Sequence, residues 1–160
     1  HHCRFALDDM APFRTDGYLL WIGAAEHLPH VLAWLQQHPP QLETRFLTNL
    51  HDVRSRAAAH FTAHALGFRL NFTENAVNGY PAGLWSEAAQ RRMMGDCRAA
   101  FDIKGRDFAQ ATKPPTKAQQ FVASGIPFGC NHGSSIAAWF ATQGFAVAGA
   151  EALEIGRAHV

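Results

Sequence analysis

Short apolar runs alternating with helix-patterned stretches of about ten residues constrain this chain more than any other feature. Gly17-Tyr-Leu-Leu-Trp-Ile22 is a compact apolar run of the kind that forms a buried parallel strand, and Gly23-Ala24-Ala25 follows as a tight turn. Leu28, Val31, Leu32 and Leu35 then recur at helical spacing until His38-Pro39-Pro40 stops the helix. Thr44–Thr48 reads as a second strand, and Asp52 as the N-cap of a helix from Val53 to about Leu66 that Gly67 closes. Phe68–Phe72 alternates as a third strand, Thr73 to Gly83 reads as a loop, and Leu84 to Gly95 as a helix. Cys97–Ile103 is expected as a fourth strand, Ile126–Cys130 as a fifth and Phe145–Val147 as a last one, with Asn131–Ser135 turning into a final helix through about Gln143. Strands interleaved with helices in this way predict an α/β fold with a doubly wound parallel sheet.

Composition sets the outer bounds. A chain of 160 residues suffices for one domain with a sizeable core. Its hydrophobic fraction of 48% and charged fraction of 17% are those of a globular protein, not a disordered one. A net charge of +1 gives no electrostatic reason to expect nucleic acid or an anionic membrane as partner. No apolar run approaches the ~20 residues of a membrane-spanning helix. Cys3, Cys97 and Cys130 are odd in number and lack zinc spacing, which suggests buried free thiols in a reducing compartment.

The richest segment is Lys113-Pro-Pro-Thr-Lys-Ala-Gln-Gln-Phe-Val-Ala-Ser-Gly-Ile-Pro127. Pro114 and Pro115 fix an extended approach to a short helix, Gly125 terminates it, and Ile126-Pro127-Phe128 opens a buried strand. The start of that helix offers free backbone N–H groups, with Lys113, Thr116 and Lys117 beside them, which is favourable chemistry for a phosphate. In an open α/β sheet, ligands bind at the carboxyl ends of the strands. Those ends supply Gly23 and Ala24, Asn49, Thr73 to Asn78, Lys104, and Asn131 to Ser134.

The Lys113–Pro127 segment resembles the stretch of GT-B-fold glycosyltransferases (family 1 / group 1 class) that runs into Glu-Ala-Met-Ala-x-Gly-x-Pro. Ala123-Ser124-Gly125-Ile126-Pro127 carries the match, with a Lys-Pro-x-x-Lys lead-in. The order of elements extends the likeness over roughly Gly17 to Val147, as the C-terminal, Rossmann-like half of such an enzyme. This resemblance implies a domain that holds a nucleotide diphosphate-sugar donor without metal or other cofactor, a missing N-terminal half that binds the acceptor, and cytoplasmic residence with membrane association through that half. It also implies donor contacts from Lys113, Thr116, Lys117 and the position of Gln120, where many members carry a glutamate that binds the donor ribose. Glutamine there can accept from a hydroxyl but carries no charge.

Other residues have a bland explanation beside the functional one. Gly23 either admits a ligand close to the backbone or simply makes its turn possible. Asn131, Gly133 and Ser134 form a second site for an anion or hydroxyl, or merely a capped helix start. Lys113 and Lys117 are otherwise solvated surface charges. His60 and His64 stand four apart on one helix, a zinc-compatible spacing without a third ligand, and read as an ordinary helix face. Neither a Gly-x-Gly-x-x-Gly fingerprint nor a Walker A loop occurs.

Residues 1–16 read as a linker or the end of a preceding element. The last seven residues, Glu154–Val160, resemble read-through translation of a sequencing adapter, so native sequence is expected to stop near Leu153 in a fragment of a larger reading frame. The expected function is the donor-binding half of a sugar transferase, inactive alone. The alternative is a non-catalytic Rossmann-like module that binds a nucleotide or a protein, and a complete small enzyme is disfavoured because no nucleophile–base motif is present.

Overall fold

The computed structural model describes residues 17–103, 116–130 and 148–149. Its sheet is mostly parallel. Strands β1 (Leu19–Ile22), β2 (Thr44–Thr48), β3 (Ala76–Val77), β4 (Tyr80–Leu84), β5 (Ala99–Asp102), β6 (Phe128–Cys130) and β7 (Ala148–Gly149) lie in the order β3-β4-β2-β1-β5-β6-β7. Only the β3–β4 pair is antiparallel. From β1 the chain builds outward through β2 to β4, then returns and builds outward the other way through β5. The reversal falls between β1 and β5, which pair through Leu19–Ala99 and Leu20–Ala100.

Helices cover both faces. Helices α1 (Leu28–Gln37), preceded by a 3-10 turn at Ala25–His27, and α2 (Val53–Ala65) pack on one face, against Leu19, Trp21, Phe46, Ala99 and Phe101. On the other face α3 (Glu87–Asp96) and α4 (Thr116–Ala123) contribute Ala89, Met94 and Phe121 to a core with Leu20, Ile22, Leu47, Ala100 and Phe128. A fixed crossover hand requires this arrangement, because reversing the direction of travel along a sheet moves the connecting helix to the opposite face. All four residues of β1 and of β5 are buried, as strands covered on both sides must be.

Local chemistry sets the helix ends. Asp52 accepts from the backbone N–H groups of Arg54 and Ser55 at 3.0 and 3.2 Å, and Ser86 accepts from that of Ala89 at 3.0 Å. Helix α4 ends in a Schellman motif. Gly125 has φ +74°, the Ile126 N–H bonds to the Phe121 carbonyl at 3.0 Å, and Gly125 N–H bonds to Val122 at 3.0 Å. Phe121 and Ile126, joined by that turn, are both buried in the same core. Gly67 closes α2 with the same pair of bonds. We expect Gly125→Ala to cost about 1–2 kcal/mol, the penalty for a side chain in left-handed backbone, read as a lowered midpoint in urea denaturation.

The structure moves several expected boundaries. The third strand does not lie at Phe68–Phe72, where only an isolated bridge from Phe72 to Val77 occurs. It lies inside the stretch read as a loop, as the β3–β4 hairpin. Asn78 and Gly79, with φ of 47° and 84°, form a tight turn of the kind whose twist suits paired strands. The Asn78 side chain also binds the preceding segment, accepting from Asn71 N–H at 2.7 Å and donating to the Arg69 carbonyl at 3.1 Å. Helix α3 starts at Glu87, after its Ser86 cap, because Leu84 still belongs to β4. Strands β5 and β6 begin two residues later than expected. The expected strand at 145–147 and helix at 134–143 lie outside the described residues.

Candidate functional site

The carboxyl ends of β4, β2, β1, β5 and β6, with the start of α4, form the rim at which a ligand of an open parallel sheet is expected. Three polar connections occupy it. At the reversal between β1 and β5, Trp21 Nε1 donates to Asp102 Oδ1 at 3.1 Å, both side chains being buried. The Trp21 ring is held further by an edge-on contact with Phe46, centroids 5.9 Å apart.

Trp21 also explains Gly23. A Cβ at that position would stand 2.5 Å from Trp21 Cζ2, and the backbone of Gly23 is not left-handed. The ring's path along the strand therefore demands glycine there, a reason distinct from both turn geometry and ligand approach.

Between β1 and β2, Asn49 is a latch. Its Oδ1 accepts from Ala25 N–H at 2.8 Å and from the Thr48 hydroxyl at 3.3 Å, while its Nδ2 donates to Asp52 Oδ2 at 3.3 Å and Ser55 Oγ at 3.2 Å. One backbone donor of the turn after β1, which could have faced an anion, is thus used within the protein.

The third connection joins the end of β4 to α3 and α4. Trp85 Nε1 donates to Gln90 Oε1 at 2.8 Å, and Gln90 Nε2 donates to Gln120 Oε1 at 3.1 Å. Gln90 is 0% exposed and Gln120 3%. Gln120 is thus turned into the α3–α4 junction, and its carbonyl, the atom expected to accept from a ligand hydroxyl, already accepts from Gln90.

Of the other expected residues, Thr116 is the first residue of α4, and Lys117, half-buried, is the second. Lys113, Asn131, Gly133 and Ser134 lie outside the described residues, as do Lys104 and Cys3. Lys117 and Gln120 are brought onto one face of α4 by their three-residue spacing. Gly23 belongs to the β1 end of the rim.

No family model, curated protein or solved structure matches this chain. What the rim does chemically has therefore to be read from its own residues.

Sequence reasoning missed Asp102, Trp85 and Gln90. Only Asp102 left a trace, as a carboxylate ending the otherwise apolar run Ala99-Ala-Phe101. The Trp85–Gln90–Gln120 chain depends on two helices meeting and has no sequence signature. Among the described residues no group of three or more His, Cys, Asp or Glu could hold a metal. His60 and His64 are exposed, and the His60 ring meets Phe72 at 5.3 Å. Cys97 and Cys130 are buried free thiols. No helix among the described residues is long and apolar enough to cross a membrane.

Tyr18 lies at the other end of β1 from this rim. Burial first, then the neighbouring Cys97 and Asp96, pushes Tyr18 up to about 12 against the opposing charges of Arg45 and Arg92. Its hydroxyl donates to the Met93 carbonyl at 3.3 Å, and the Arg45 guanidinium lies 4.1 Å from its ring centre. Tyr18 precedes β1 at the amino end of the strand, opposite the rim, so it serves the packing of α3 rather than a reaction.

Proposed function

We propose that this chain is the donor-binding half of a glycosyltransferase that moves a sugar from a nucleotide diphosphate-sugar to an acceptor. The observation that carries the reading is α4. It crosses from β5 to β6 just beyond the reversal, starts at the carboxyl rim, and has Lys117 in its first turn with no acidic residue there. The helix dipole disfavours a cation at that end by about 0.3–1 kcal/mol. A bound diphosphate reverses the sign of that effect, because its charge meets both the lysine and the open N–H groups. The strand order, with the reversal between β1 and β5, is compatible with a Rossmann-like domain and supports this reading.

In this reading the first turn of α4, from Thr116, and Lys117 hold the departing diphosphate. The reading adds Lys113, Asn131, Gly133 and Ser134, named from the sequence, as further contacts to the donor. Negative charge grows on the diphosphate as the glycosidic bond breaks, and fixed donors stabilise it without reorganising. The general base belongs to the acceptor half, so the chain alone binds donor but does not transfer. The reading carries cytoplasmic residence with it as a proposal, supported by the free thiols of Cys97 and Cys130 and by the resemblance.

The test is titration of the chain with UDP, GDP, ADP and CDP and their sugars, followed by NMR. Saturable binding of one diphosphate is expected, weakened about tenfold or more in Lys117→Ala, the loss of one charged hydrogen bond. The variant should stay folded, since Lys117 is only half-buried and lies in the first turn of a short helix. Undiminished binding in Lys117→Ala would remove that lysine from the site.

A second reading, a non-catalytic module binding a nucleotide or a protein, is favoured by one observation. The Gln120 carbonyl is engaged by Gln90 where the resemblance implies a carboxylate on the ribose. Sugar transfer by the chain joined to its acceptor half would exclude it.

A further inference from the structure

The chain Trp85–Gln90–Gln120 has a direction that its first member dictates. An indole Nε1 carries a hydrogen and has no lone pair to offer, so it can only donate. Its partner 2.8 Å away on Gln90 must therefore be the carbonyl Oε1. Gln90 is left to present Nε2 to Gln120, which must meet it with Oε1, at 3.1 Å. The amide of Gln120 is thereby oriented from two residues away, and the group left for a ligand is the NH₂. No acceptor among the described residues meets it. Gln120 follows Lys117 by three residues on α4, so the two share a helical face.

We infer that Gln120 serves this site as a hydrogen-bond donor to a phosphate oxygen of the bound diphosphate, with Gln90 as the positioning residue that fixes that polarity. The inference rests on the donor-site reading above and inverts the chemistry that the resemblance implies at position 120. A glutamate accepts from ribose hydroxyls, whereas this glutamine, held by its carbonyl, gives a proton to an oxygen that has lone pairs. Gln90 is fully buried with both ends of its amide engaged, so it cannot turn over without breaking two hydrogen bonds.

The test uses the full chain and whichever of UDP, GDP, ADP or CDP saturates it. Gln120→Glu keeps an acceptor for Gln90 Nε2 but cannot donate, and it sets a carboxylate beside phosphate. Binding should fall about tenfold or more. Equal or tighter binding, the result expected of a ribose acceptor, would overturn the inference. Gln90→Glu offers Trp85 an acceptor but gives Gln120 a second one, forcing its NH₂ inward and its carbonyl outward. Affinity should drop again, with the Gln120 side-chain amide protons newly protected from exchange. A folded Gln90→Glu variant of undiminished affinity would also overturn it. Should either variant fail to fold, the parent chain decides. The Gln120 NH₂ resonances should shift on saturation with the diphosphate, and resonances that stay fixed while the Lys117 amide shifts would refute the donor role. A parent chain that binds none of the four removes the donor-site reading itself, and this inference with it.

Discussion

Replacing Trp21 by alanine is expected to cost this protein more stability than either Gly125→Ala or Gly23→Ala, seen as a much lower urea midpoint. The ring is 1% exposed, meets Phe46 edge-on and supplies the indole donor to Asp102. Truncating a buried aromatic side chain to alanine costs about 3–5 kcal/mol through lost transfer energy and the cavity left behind. Losing a hydrogen bond to a buried carboxylate adds about 1.5–3 kcal/mol. Set against a stability of about 5–15 kcal/mol, that loss removes a large share of what holds the domain folded. Trp21→Phe separates the two contributions, since it keeps most of the apolar body while removing the donor. Urea denaturation followed by circular dichroism should show Trp21→Phe intermediate between parent and Trp21→Ala. A Trp21→Ala midpoint close to that of the parent would contradict the packing described at the β1–β5 reversal.

Gly23→Ala should show the second-largest loss of stability, about 1–3 kcal/mol, as overpacking typically costs. The added methyl would lie 2.5 Å from Trp21 Cζ2 and 2.7 Å from Cη2, and the ring has nowhere cheap to go. Asp102 holds one side of it and Phe46 abuts another. The expected signature is a lowered thermal midpoint together with changed indole fluorescence. Because the strain falls on the core, any loss of diphosphate binding in this variant should track the loss of folded protein. A variant as stable as the parent that no longer bound diphosphate would instead show that Gly23 faces the ligand directly.

The sequence was most readable where one residue decides a local event. Asp52 capping α2, Gly67 and Gly125 closing their helices, and the apolar run of β1 were all legible within a few residues. The misplaced strand shows where this stops. Phe68, Leu70 and Phe72 alternate because they pack against the core, and burial alone does not make a ladder. The Asn78-Gly79 pair held the hairpin signal, but Pro81, which cannot donate to a ladder, argued for a loop. The rim was less readable still. Trp21 and Asp102 are 81 positions apart, and Gln90 and Gln120 are 30 apart, so neither pairing exists until the sheet reverses direction and α3 and α4 come together.

The β3–β4 hairpin also bears on how copies of this molecule treat one another. A parallel sheet that ended on β4 would show the backbone groups of a five-residue strand, less the donor that Pro81 lacks, to any neighbouring chain. The antiparallel β3 takes that place at Tyr80 and Pro81 and, being only two residues long, offers a newcomer almost nothing to extend there. Short border strands are a recognised defence against edge-to-edge aggregation. The same tight Asn78-Gly79 turn that shapes the chain locally thus shields the start of β4 from its own kind.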